Sequence, residues 1–131
     1  FAKAANGLYR LGYLPEAAMG YRRALAEDPT HRQAALDLAW CLQLQGEYGE
    51  AIQYLRQLAA EDTAIQATFT LGLAYLRSGQ TDSARAAYAR AVAQFGAEEG
   101  RRIGADANLR WVMEREEHAL EAREIHERYW P

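Results

Sequence analysis

Cysteine and proline are almost missing from this chain of 131 residues, at one and three copies. A lone thiol, Cys41, forms no internal disulfide, so a small cross-linked scaffold is excluded. The same thiol leaves the compartment open, since it fits a reducing cytosol and does not exclude a periplasmic fragment. No apolar run approaches the roughly 18 residues of a spanning helix, so direct membrane insertion is not expected. An excess of one charge is missing as well. With a net charge of −3, nothing in the bulk electrostatics points to nucleic acid or an anionic membrane as partner. The opening residues have no charged-then-apolar leader layout and no Met, so the chain reads as a processed or excised piece, and repeats preceding Phe1 stay an open question.

What is present favours helix. Half of the residues are hydrophobic and a quarter charged, which suits one soluble globular domain able to bury about two-thirds of its unfolded surface. Alanine accounts for 27 positions while Val, Ile and Thr are sparse, so intrinsic propensity predicts an all-α fold. Arginine outnumbers lysine fourteen to one. The arginines are scattered and balanced by acids, so codon bias explains them better than phosphate forks do. Residues 1–96 hold nine acidic and nine basic groups, and residues 97–131 hold nine and six. The last quarter is therefore a different kind of segment.

Self-similarity sets the organisation. Gly12, Gly46 and Gly79 recur at intervals of 34 and 33 residues, each shortly before an alanine: Ala17, Ala51 and Ala84. A large apolar residue follows four positions on, at Tyr21, Leu55 and Tyr88, then a smaller one at Ala24, Leu58 and Ala91. That spacing is one helical face. Upstream of each glycine lies a second face: Phe1, Ala4, Ala5 and Leu8, then Ala35, Leu38, Ala39 and Leu42, then Thr68, Leu71, Gly72 and Tyr75. Each unit reads as two amphipathic helices joined by a tight turn, with glycine in a left-handed cap after the first. The small residues Ala5, Ala39 and Gly72 are expected to face Ala17, Ala51 and Ala84 within a pair, with Tyr21, Leu55 and Tyr88 filling the space between neighbouring pairs. From Ala105 to about Arg128 there is no Gly or Pro, and Leu109, Val112, Met113, Ala119 and Leu120 share a side. One long charged helix is expected there, with i,i+4 pairs Arg110/Glu114 and Glu124/Arg128 and with Gly96, Gly100 and Gly104 punctuating its approach.

The pattern resembles the tetratricopeptide repeat family over about residues 1–97. The third unit matches best, with Leu71, Gly72, Tyr75, Gly79, Ala84, Tyr88 and Ala91 in place; the second has Ala39 for the glycine and Leu55 for the aromatic, and Pro29 alone ends a unit as the family does. The resemblance implies a short right-handed superhelical solenoid of three helix pairs, at about 1–31, 32–64 and 65–97, with residues 98–131 forming a C-terminal capping helix.

Two first helices carry a second apolar stripe: Leu36, Trp40 and Leu44, then Phe69, Leu73 and Leu76. Left open, these would be an exposed apolar patch. The resemblance implies that such positions line a concave groove, formed by Lys3, Asn6, Tyr9 and Arg10, then Gln33, Leu36, Asp37, Trp40, Gln43 and Leu44, then Gln66, Phe69, Thr70, Leu73, Leu76 and Arg77. Trp40 is the natural anchor. The other reading is that a neighbouring element such as the C-terminal helix covers the stripe. One family subtype grips a terminal carboxylate with Asn and basic residues. Here only Asn6 matches, while Asp37 stands where a second Asn belongs and repels a carboxylate, so that mechanism is rejected. A mainly apolar protein segment is expected instead.

Chemistry beyond binding has little support. His118 and His126 lie among Glu114, Glu117, Glu121 and Glu124 without the spacing of a metal site, and a metal-dependent enzyme is the remotest reading. Cys41 reads as a packing residue, and no phosphate loop or nucleophile elbow appears. The sequence therefore describes a noncatalytic adaptor without cofactor. Its alternative is a homo-oligomer, in which Trp111, Trp130 or the stripe from Leu109 to Leu120 docks into another copy's groove.

Overall fold

The computed structural model describes residues 2–61 and 63–131; Phe1, assigned above to the first helical face, lies outside them. Among the described residues the chain is all-α, with nine helices and no strand. They are α1 (Ala2–Arg10), α2 (Leu14–Glu27), α3 (Arg32–Leu44), α4 (Tyr48–Ala59), α5 (Ile65–Arg77), α6 (Thr81–Phe95), α7 (Ala97–Arg102), α8 (Ala105–Arg115) and α9 (Ala119–Tyr129).

The three repeat glycines end α1, α3 and α5 in the same way. Gly12, Gly46 and Gly79 have φ of +83°, +81° and +87°, a conformation that a Cβ disfavours by about 1 kcal/mol or more. Each glycine N–H returns to the carbonyl three residues back, and the next N–H to the carbonyl five back: Tyr13 to Leu8 (2.9 Å), Glu47 to Leu42 (2.8 Å) and Gln80 to Tyr75 (2.9 Å). Two carbonyls left over at each helix end are satisfied by this motif, and the chain reverses within a few residues.

The chain forms two compact units, Phe1–Leu58 and Ala59–Pro131. Compactness divides the chain at a different place from the repeat register. In the first unit α1 packs on α2 and α2 on α3, around Ala5, Ala17, Tyr21, Leu38, Ala39, Leu42, Ala51 and Leu55, all buried. Arg22 of α2 reaches both carboxylate oxygens of Glu50 at 2.9 Å. In the second unit α5 packs on α6, and α8 on α9. The aromatic residues also make contacts inside their own pairs: the Tyr21 hydroxyl donates to Asn6 Oδ1 of α1, and a Cβ on Gly72 of α5 would lie 2.8 Å from the Tyr88 ring of α6. A residue without a side chain leaves that space for the ring.

The C-terminal segment corrects the expectation of one long helix. The helix breaks at Glu116, whose backbone is extended (φ −120°, ψ 167°), and the chain folds back as the α8–α9 pair. The reason is apolar phase. Leu109 and Val112 are buried on α8, and Ala122 and Ile125 on α9, but the interval from Val112 to Ala122 is not a whole number of turns, so a continuous helix would turn these pairs to different sides. Folding back buries both. Leu120, expected on the buried stripe, is 79% exposed. The expected ion pairs also differ: Arg110 pairs with Asp106 (3.6 Å) and Glu124 with Arg85 of α6 (2.8 Å). Gly96 and Gly104 do punctuate, with φ of +91° and +86°. Gly100 instead lies inside α7, buried.

Candidate functional site

In the first unit, α1 and α3 bring several of the expected groove residues together. Asn6, Tyr9 and Arg10 share one side of α1, and Asp37 and Trp40, three apart, share one side of α3. With Tyr21 of α2 they line a cavity of about 340 Å³. Gln33, one turn before Asp37, donates from Nε2 to Asp37 Oδ1 at 2.9 Å. Burial lifts the Asp37 carboxyl above its ordinary range, a rise that the Gln33 hydrogen bond and the nearby His31 oppose. Burial, and then the charges of Asp37 and Cys41, push the Tyr21 hydroxyl up to about 12. Tyr9 is raised as well, by burial and then by Cys41 and Asp37. Both phenols are therefore neutral donors at physiological pH, beside a half-buried carboxylate.

The remaining expected residues are scattered. Lys3, Gln33, Gln66 and Leu44 are exposed. Leu36 is buried, and Gln43 is 1% exposed with neither amide atom hydrogen-bonded, so Gln43 is not on an open face. On α5, Phe69, Thr70, Leu73 and Leu76 are buried, which corrects the expectation of an open groove there. The cover comes from the C-terminal segment of the same unit. α5 packs against α7 and α8, and the rings of Phe69 and Trp130 are 6.0 Å apart. The Trp130 indole N–H donates to the Ala97 carbonyl at 2.8 Å. A Cβ on Gly100 would meet both rings, at 2.7 Å from Trp130 and 2.9 Å from Phe69. Arg77, expected in the groove, instead forks onto Glu116 through Nε (3.1 Å) and a terminal nitrogen (2.9 Å). Its guanidinium also lies 5.7 Å from the Trp111 ring centre, with that of Arg115 at 5.3 Å. Trp130 is thus held inside its own chain rather than offered to another copy.

Sequence reasoning missed a second cavity, of about 360 Å³, between α6 and α9, lined by Arg85, Ala86, Ala89, Glu124, Ile125, Arg128 and Tyr129. No motif announced it, because it depends on the break before α9. Two of the three histidines have local roles: His31 Nδ1 accepts from the Ala34 N–H at 3.2 Å, capping α3, and the His118 ring lies over Gly79. No group of three or more His, Cys, Asp or Glu residues is placed to hold a metal ion among the described residues. Cys41 is fully buried, and burial followed by Asp37 pushes its thiol up to about 11, far from nucleophilic activation. No helix is long and apolar enough to cross a membrane among the described residues.

A family model described as tetratricopeptide repeat matches residues 8–68 and again 44–106. The chain belongs to the tetratricopeptide repeat family. The crystal structure of MamA is similar to this tetratricopeptide protein with a TM-score of 0.67 and 20% sequence identity, over 95% of this chain and 71% of that one. At that identity the likeness speaks for the fold. No curated protein matches the chain. Family and fold support a general role as a protein-interaction scaffold, and tetratricopeptide proteins are generally non-enzymatic.

Proposed function

We propose that the chain is a noncatalytic adaptor that receives a segment of a partner protein on the α1–α3 face of its first unit, with Trp40 and Tyr9 as apolar anchors and Asn6, Arg10 and Asp37 setting its register. One observation carries this reading: five residues assigned to the groove from sequence line one cavity. Half-buried aromatic side chains beside polar groups are the usual composition of a binding hot spot. The α5 residues do not join the site, because their own C-terminal segment covers them.

Affinity purification with mass-spectrometric identification tests the proposal, comparing wild type with Trp40→Ala and with Trp111→Ala, after circular dichroism has shown equal helix content. A partner lost with Trp40→Ala and kept with Trp111→Ala is the expected result. Partners unchanged by Trp40→Ala would remove the cavity from the interface.

A further inference from the structure

Asp37 stands at the cavity without a cation of its own. Its hydrogen bond comes from a neutral amide, Gln33, onto Oδ1, and no ion pair reaches it among the described residues. Its charge acts on the cavity: it raises the tyrosine hydroxyls at 9 and 21 and the Cys41 thiol. The arginine in the lining does not neutralise it. Arg10 is exposed on the last turn of α1 and bears on the Tyr21 hydroxyl, whereas Asp37 has beside it His31, at the start of its own helix, whose Nδ1 is occupied in accepting the Ala34 N–H. A half-desolvated carboxylate walled by Tyr9, Tyr21 and Trp40 favours a cation twice over. The carboxylate offers a charge-assisted hydrogen bond, and aromatic faces attract positive charge most strongly where water is thin. The α6–α9 cavity makes no such demand, since its carboxylate, Glu124, is already forked by Arg85 at 3.2 and 2.8 Å.

We infer that the segment received by this cavity inserts an arginine or lysine side chain, its cationic head hydrogen-bonded to Asp37 and bordered by the rings of Tyr9, Tyr21 and Trp40. This deepens the adaptor reading and rests on it. Arg10, at the rim, then meets a carbonyl or carboxylate elsewhere on the same segment. A segment with an acidic residue at the inserted position is repelled, so the site selects by sign as well as by shape.

The test pans the whole chain against displayed random peptides and measures the selected peptides, made synthetically, by fluorescence anisotropy on wild type, Asp37→Asn and Trp40→Ala. Peptides selected by wild type are expected to share an arginine or lysine. Each is expected to bind about tenfold more weakly to Asp37→Asn, and to lose as much on wild type when the basic residue is replaced by citrulline or norleucine. The two changes together should cost little more than either alone, since they remove one interaction. The peptide replacement leaves the protein untouched, so a folding defect in Asp37→Asn does not hide the answer. Peptides that need Trp40 but carry no basic residue, or that bind Asp37→Asn undiminished, overturn the inference and leave the adaptor reading standing. If no selected peptide depends on Trp40, both fall.

Discussion

Trp40 on α3 and Leu73 on α5 each lie six residues before a capping glycine, Gly46 or Gly79, and so hold the same place in two copies of one pattern. Trp40 is half-buried at a cavity, while Leu73 is buried together with its neighbour Phe69. The difference lies in what each unit provides nearby. In the second unit the segment after α6 folds back, and Trp130, reaching across α7, closes over Phe69. In the first unit the α1–α3 side keeps its opening. A second apolar stripe on a repeat helix is therefore closed by the chain itself on α5 and left half-open at Trp40 on α3.

The contrast is broken most directly at Phe69. Phe69→Ala empties a site under Trp130 and should cost about 3–5 kcal/mol in urea unfolding followed by circular dichroism. A loss no larger than that of Trp40→Ala would mean that the C-terminal cover contributes little. Next in size is Gln43, which shares its register with Leu76: both lie three residues before the glycine and both are buried, but the Gln43 amide has no hydrogen-bond partner. Gln43→Leu should therefore raise stability by about 1–3 kcal/mol, by removing an unsatisfied buried amide. A fall in the urea midpoint would show that the amide is satisfied in solution.

Trp40→Ala should cost only about 1–2 kcal/mol, because the side chain is half in water already. Equal helix content before melting, with a small shift in the midpoint, would confirm that Trp40 contributes little to folding. The smallest effect concerns Asp37. Burial raises its pKa in the folded chain above the ordinary aspartate value, so the folded state binds its proton more tightly. The associated stability is fully present below the unfolded pKa and is lost as pH rises through the folded one. Asp37→Asn should accordingly be slightly more stable than wild type at neutral pH, with the advantage vanishing as pH falls through about 4. An advantage that persists at acid pH would assign it to something other than the carboxylate's burial.

The helix pairs were legible because their signals are local. A glycine past the last apolar residue of a helix specifies a left-handed cap wherever it stands, and three of them at regular intervals specify the repeat. Five of the six residues that line the cavity were legible for the same reason: Asn6, Tyr9 and Arg10, and Asp37 and Trp40, follow helical spacing. What stayed hidden depends on contacts distant in sequence. Glu116 to His118 contain neither Gly nor Pro, so only the changed phase of Leu109 and Val112 against Ala122 and Ile125 indicates the break. Gly100 looked like loop punctuation, although its missing side chain makes room for Trp130 and Phe69. Gln43 sits on the apolar side of its helix, where a polar residue gives the impression of an outward face.

Trp130 also separates the second unit into early and late events. The α5 and α6 pair joins residues close in sequence, whereas the indole bond to Ala97 spans 33 residues and the packing on Phe69 spans more. Contacts of short separation close fastest, and those of long separation must wait for the loop between them to be ordered. Helix pairing should thus precede indole docking during refolding, so that far-ultraviolet ellipticity recovers before the near-ultraviolet signal of an immobilised tryptophan. Phe69 is covered only when this contact forms, so α5 is as open to company as α3 in any state of the chain in which the indole is undocked.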